Sequence, residues 1–155
     1  MTGMRELRIA AIKNGTVIDH IGNGLAIDVL RIIGAQGLDR DSTVSVGIHV
    51  RSGKLGWKDI VKVENMELSA RRVNAIALIA PTATISIIRD FKVQDKRVVD
   101  LPDTIVGVVT CPNPSCISNQ GEPIESEFRV TRRRPVVLTC VFCERTMDDF
   151  LSHLA

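Results

Sequence analysis

The order of apolar segments predicts an α+β chain. A ferredoxin-like βαββαβ domain over residues 1–98 is followed by a small antiparallel β domain over residues 99–155. Three observations carry this. Segments with a period of two alternate with two segments of helical period in the order β-α-β-β-α-β. Composition changes after a charged, proline-containing stretch at residues 96–103 that reads as a linker. All four cysteines fall in the last third, as two close pairs.

Residues 7–13 read as the first strand, and Asn14-Gly15 as a tight turn into Thr16, Val17, Ile18, Asp19 and His20. Asn23 is placed to cap a helix whose inner face is Leu25, Ala26, Val29, Leu30 and Ile33, with Gly34 as its stop. Val44, Val46, Ile48 and Val50 alternate with Ser45, Gly47, His49 and Arg51, the pattern of a half-buried strand. A loop over residues 51–56 leads to a strand over residues 60–64. Ser69 caps a second helix with Val73, Ile76, Ala77 and Ala80 inward, and Pro81 ends it. Residues 84–93, rich in β-branched side chains, read as one strand. In the second domain short strands are expected over residues 105–110, 125–131 and 136–139.

The bulk numbers restrict the function classes. The chain has 155 residues and is 45% hydrophobic, so it can build a core, yet aromatics are only 3% and Val, Ile, Leu and Ala must fill it. A formal net charge of +2 does not argue for a nucleic acid or membrane partner. No apolar run reaches about eighteen residues and the N-terminus lacks an apolar signal region, so a cytoplasmic protein is the expectation. In a reducing compartment four cysteines point to metal rather than disulfides.

The spacing Cys111-x4-Cys116, then Cys140-x2-Cys143, suits one tetrahedral ion held by thiolates at about 2.3 Å. Pro112, Asn113 and Pro114 favour a tight knuckle whose amides point at sulfur. Four cysteine ligands close the shell, so the ion, expected to be a single Zn²⁺, is structural; an iron–sulfur centre is the competing assignment. About fifty residues make too small a core to fold without it.

In the first domain Asp19-His20 follows a strand segment, and Lys58, Lys62 and Lys96 lie on or beside strands that a sheet can bring near His20. Such a set can hold phosphates through charge-assisted bonds. No glycine-rich phosphate loop, nucleophile–base set or paired carboxylates support turnover. Binding is therefore favoured over catalysis. The rival reading is a zinc-ribbon nucleic-acid protein, for which Arg132-Arg133-Arg134 before Pro135 is the best support. That run is read instead as a solvated hairpin turn, and the aromatics needed for base stacking are almost absent.

Several stretches resemble the regulatory chain of aspartate carbamoyltransferase. They are residues 11–21 (Ala-Ile-Lys-Asn-Gly-Thr-Val-Ile-Asp-His-Ile), residues 54–65 (Lys-Leu-Gly-Trp-Lys-Asp-Ile-Val-Lys-Val-Glu-Asn) and residues 78–85 (Leu-Ile-Ala-Pro-Thr-Ala-Thr-Ile). Cys111-Pro112-Asn113, Cys116-Ile117-Ser118 and Cys140-x-x-Cys143-Glu144 complete the pattern. The resemblance implies a non-catalytic allosteric subunit that pairs through its N-terminal domain as a homodimer and bridges catalytic trimers in pyrimidine biosynthesis. It implies that the N-terminal domain binds CTP or ATP, with UTP beside CTP, and that the zinc domain docks on the catalytic chain. Carried over, the backbone at Ala11 and Ile12 reads the base. Asp19 and Lys62 hold the ribose, His20 and Lys96 meet phosphates, and Lys58 serves a neighbouring nucleotide. Phe91 and Val93 flank the base, with Ile60 and Ser86 in the same site. Asn113 and Glu144 are the implied contacts to the catalytic chain. Phe91 and Ser86 depart from the Tyr and Asn of the best-known member.

Overall fold

A computed structural model describes residues 11–35, 37–38 and 40–155. The first sheet contains β1 (Gly15–Gly22), β2 (Val44–Ser52), β3 (Gly56–Glu64), β4 (Thr84–Arg89) and β5 (Lys92–Val98), in the order β2-β3-β1-β4-β5 with every neighbouring pair antiparallel. Helix α1 (Ala26–Ala35) links β1 to β2, and α2 (Ala70–Ile79) links β3 to β4. β3 lies between β1 and β2, and β1 lies between β3 and β4. This is the split βαβ pairing of the ferredoxin-like pattern, with β5 as a fifth strand. A second sheet, β6 (Thr104–Val106), β7 (Glu127–Arg133), β8 (Val136–Cys140) and β9 (Thr146–Met147), runs in chain order.

Both helices pack on the same face of the first sheet. Ile18, Val61, Val63 and Ile85 point to the helices and share a core with Ala26, Val29, Ile32 and Ile33 of α1 and Ala75, Ile76, Ala77 and Leu78 of α2. Side chains alternate along a strand, so residues of the opposite parity face away from the helices.

The local differences from the sequence reading have physical causes. Residues 7–10 of the expected first strand lie outside the described residues, and residues 11–13 are not strand; pairing starts at Gly15. Asn23 does not cap α1. Its Oδ1 lies 3.1 Å from His49 Nδ1, while the amides of Gly24 and Ala26 donate to Asp59 Oδ2, each at 2.9 Å. α1 continues through Gly34, and Gly37, at φ 89°, takes the left-handed position. Ser69 does cap α2, accepting from the Arg72 amide at 3.3 Å. The stretch 84–93 is two strands, not one. Asp90 and Phe91 both have positive φ, 51° and 64°, the signature of a two-residue hairpin turn. The expected linker from residue 96 is therefore strand as far as Val98. Bulges explain why the Val44–Val50 alternation does not keep one face: β2 slips register between Gly47 and Val50, and Ile48 is left exposed.

The buried cores of the two sheets are continuous rather than separate. Val99, Ile105, Val108 and Val109 join the helix-covered core to Phe128, Leu138 and the cysteines. An Arg71–Glu125 ion pair crosses the same junction above Gly107. Gly107 has φ 69°, and a Cβ there would collide with both partners. Among the described residues no helix is long and apolar enough to cross a membrane.

Candidate functional site

Two sites emerge, one around the cysteines and one on the open face of the first sheet. Sγ atoms of Cys111, Cys116, Cys140 and Cys143 all lie within 4.8 Å of one another. The Cys111–Cys143 and Cys116–Cys140 separations are 3.5 and 3.7 Å. A tetrahedron with metal–sulfur bonds of about 2.3 Å has sulfur–sulfur edges of about 3.8 Å. The side chains thus already describe the coordination shell of one ion, with no position for water.

Local structure builds this shell. Cys111 precedes a knuckle in which the Asn113 amide donates towards its sulfur, and Asn113 Oδ1 accepts from the Ser115 amide at 3.0 Å. Asn119 Nδ2 donates to the carbonyls of Cys111 and Asn113 at 2.9 and 2.8 Å, fixing the knuckle from behind. The second pair sits in the turn between β8 and β9. There the Cys140 carbonyl accepts from the Glu144 amide at 2.9 Å, and Glu144 has φ 64°. The Glu144 side chain is exposed at the rim.

Burial pushes the Cys111 thiol up to about 12 and raises Cys140 as well. At Cys143 burial also raises the thiol, but the Arg145 amide, the Asn113 side chain and the neighbouring thiols outweigh it and bring it down to about 6. Ser118 lowers Cys116 against the same burial penalty. The surroundings thus favour the thiolate at Cys116 and Cys143 and disfavour it at Cys111 and Cys140, and a cation bound by all four displaces the protons that remain.

On the open face, the registers Ser45↔Lys62, Lys62↔Val17, Val17↔Ser86 and Ser86↔Lys96 form one row across five strands. Directly opposed residues of antiparallel strands point the same way, so two lysines lie on one face and flank two central strands that carry Val17 and Ser86. Ile60, Asp19, Thr84 and Val93 fall on that face by alternation and register. A bulge in β1 adds His20 to it. Ile18 pairs with Val61 and Ile21 with Asp59, so β1 carries one extra residue there, and His20 has φ 56°. Without that residue Asp19 and His20 would point to opposite faces. Instead His20 Nδ1 lies 3.1 Å from Thr84 Oγ1, and Lys58 Nζ is 2.8 Å from Asp19 Oδ1. Burial raises the Asp19 carboxyl, but Lys58 and the His20 amide outweigh it and hold the group below its ordinary range. Phe91 is an exposed hairpin residue whose amide donates to the Lys13 carbonyl at 2.9 Å. This brings the hairpin to the segment containing exposed Ala11 and buried Ile12.

Residues 7–100 match the allosteric domain of the aspartate carbamoyltransferase regulatory chain, and residues 103–150 match its metal-binding domain. The regulatory chain of Methanothrix thermoacetophila is 55% identical over 149 residues, covering 96% of each chain. That of Thermoplasma volcanium is 47% identical over 145 residues, covering 94% of this chain and 95% of its own length. That of Methanothermobacter thermautotrophicus is 49% identical over 143 residues, covering 92% and 90%. The chain belongs to the aspartate carbamoyltransferase regulatory chain family.

As a regulatory chain it is a non-catalytic subunit with an allosteric domain and a four-cysteine metal-binding domain. Three residues of this regulatory chain that sequence reasoning missed are Asp59, Thr84 and Asn119. Asp59 carried a signal: it shares parity with the buried Val61 and Val63, and a carboxylate in the buried phase of a strand needs partners. Thr84 and Asn119 carried none, because their roles come from register and from the knuckle's fold. A cavity lined by Ser69, Arg71, Arg72 and Gly107 belongs to the α2–β6 junction.

Cys111→Ser should abolish tight metal binding and unfold the second sheet. Because the cores are continuous, it should also lower the melting temperature of the first sheet. Bound metal should be lost more readily at pH 6 than at pH 8, since protons compete for the thiolates as pH falls. Metal analysis after dialysis against chelator, with melting followed by circular dichroism, checks both. Unchanged metal content in the mutant would contradict the assignment.

Proposed function

We propose that this chain is an allosteric effector subunit. It binds CTP and ATP, with UTP beside CTP, on the open face of the first sheet. Its C-terminal domain holds Zn²⁺ and docks on the catalytic chain of aspartate carbamoyltransferase. The observation that carries the reading is the row Lys62–Val17–Ser86–Lys96 beside the β1 bulge at Asp19 and His20. It combines two ammonium groups, an imidazole and a carboxylate on one surface, with a small apolar and hydroxyl centre between. This inventory suits a nucleoside triphosphate: His20 and Lys96 for phosphates, Asp19 and Lys62 for ribose hydroxyls, Lys58 for a neighbouring nucleotide. Phe91 and Val93, with Ile60 and Ser86 near the backbone of Ala11 and Ile12, flank the base.

The division of labour follows residues 1–98 and 99–155. For the metal, Zn²⁺ is favoured because a sulfur tetrahedron of this size encloses one ion and leaves no space for a multi-iron cluster. Asn113 and Glu144 lie at the two knuckles as contacts to the catalytic chain, beside exposed Ile117 and Phe142. Among the described residues β2 is an edge strand of the first sheet, a position where a twin's strand can add, which supports a homodimer that bridges catalytic trimers. On this reading the chain acts in cytoplasmic pyrimidine biosynthesis. A nucleic-acid role is not favoured: Arg133 donates to the Leu101 carbonyl and pairs with Asp103, so it serves the fold rather than a basic patch.

Lys96→Ala should weaken CTP and ATP alike, by roughly ten- to hundredfold, because phosphate carries no base information. Phe91→Ala should change the CTP-to-ATP ratio instead. Calorimetric titration of the wild type and both mutants decides this. A Lys96→Ala change confined to base preference, or no binding by the wild type below millimolar, contradicts the site.

Stripping the metal should prevent the chain from joining catalytic trimers in gel filtration. Trimer binding by metal-free chain at normal affinity would remove the docking role from the cysteine domain.

A further inference from the structure

We infer that Asp59 is a positioning residue for the effector face, acting through the Asp19–His20 bulge; this rests on the nucleotide-binding reading above. Asp59 is fully buried in β3, yet it is not on the open face. Its Oδ2 accepts from the amides of Gly24 and Ala26, each at 2.9 Å, and its Oδ1 from the amide of His49 at 3.0 Å. These three donors come from two different neighbours of β3. Gly24 and Ala26 belong to the turn that leads from β1 into α1. His49 belongs to the β2 bulge, where φ is 60° and an extra residue interrupts the ladder.

Both strands flanking β3 are thus bulged at the level of Asp59. β1 inserts its extra residue between Ile18 and Ile21, the latter opposite Asp59. β2 inserts its own between Gly47 and Val50. A bulge frees backbone groups from the ladder, and a buried amide without a partner is costly. The single carboxylate of Asp59 collects one amide from the β2 bulge, one from the turn before α1 and one from the first residue of α1, where helical amides also lack partners.

The consequence for the effector face follows from connectivity. The segment from His20 to Gly24 leaves the β1 bulge, passes Gly22 opposite Lys58, and is fastened at its far end to Asp59. Lys58, the next residue along β3, faces the open side and pairs with Asp19. Asp59 therefore holds, from the buried side, the same short loop whose exposed side carries Asp19 and His20. With the carboxylate intact, the imidazole is presented at one position beside Thr84. With one acceptor oxygen replaced by an amide, the loop keeps its sequence but loses its fixed end, and His20 samples positions in which it does not reach a phosphate.

Asp59→Asn in the full chain tests this. CTP titration is performed at a temperature below the melting transition of each protein, in the wild type, Asp59→Asn, His20→Ala and the double mutant. Asp59→Asn should weaken CTP by about tenfold in the wild-type background and by less than about twofold when His20 is already alanine, because its effect passes through that imidazole. A general loosening would instead give the same loss in both backgrounds, and that result overturns the inference, as does unaltered CTP affinity in Asp59→Asn. Should Asp59→Asn not fold, Ala26→Pro carries the same cycle with a smaller loss. It removes one of the three amides at the first helical position, where the fixed φ of proline suits the helix; Ala26 is fully buried, so this cycle too is read below the melting transition of each variant. Failure of the wild type to bind CTP would sink the effector reading itself, an outcome distinct from wild-type binding with an indifferent Asp59.

Discussion

The structure depends on one constraint: both helices pack on a single face of the first sheet. Two helices and the valines and isoleucines of one strand parity form the core, so side chains of the other parity face away from the helices: Thr84 and Ser86 are buried there, and Lys96 is exposed. In an antiparallel sheet the open-face residues of neighbouring strands line up in rows about 5 Å apart. A row crossing several strands can thus present charges spaced over the length of a nucleotide. The helices never need to approach the ligand. That separation lets the core stay apolar while lysines, a histidine and a carboxylate share one surface.

Bulges refine this arrangement. A regular β1 would send Asp19 outward and His20 into the core, or the reverse, since side chains alternate strictly. The extra residue between Ile18 and Ile21 puts both on the open side and returns Ile21 to full burial. The metal site solves a different problem. Ile105, Phe128 and Leu138 are the large apolar side chains fully buried within the second sheet, too few to hold four short strands. Four sulfurs around one ion replace the missing core, and Val99, Ile105, Val108 and Val109 join that centre to the helices of the first sheet.

Much of this was legible in the sequence, and the exceptions share a cause. The βαββαβ order, the Ser69 cap and the cysteine knuckles rest on local signals: periodicity, a capping hydroxyl, close cysteine spacing. The misread elements rest on non-local ones. The β4–β5 hairpin turns at Asp90 and Phe91, a pair without the usual glycine, so residues 84–93 looked like one strand. The cap of α1 comes from Asp59, thirty-three positions from Ala26 in the chain, and not from nearby Asn23. The short β9 at Thr146–Met147 has no period of its own and exists because Leu138 and Thr139 offer it partners. At the candidate effector site, the residue types were readable, but the row joining Lys62 to Lys96 is a property of register.

The most direct test of the open-face assignment is NMR mapping of CTP on the isotope-labelled full chain. Shifts should concentrate on Asp19, His20, Lys62, Ser86 and Lys96, and those of α2 and the cysteine knuckles should stay small. Shifts centred on the α2–β6 junction around Arg71 and Gly107, with the Lys62–Lys96 row unmoved, would contradict it.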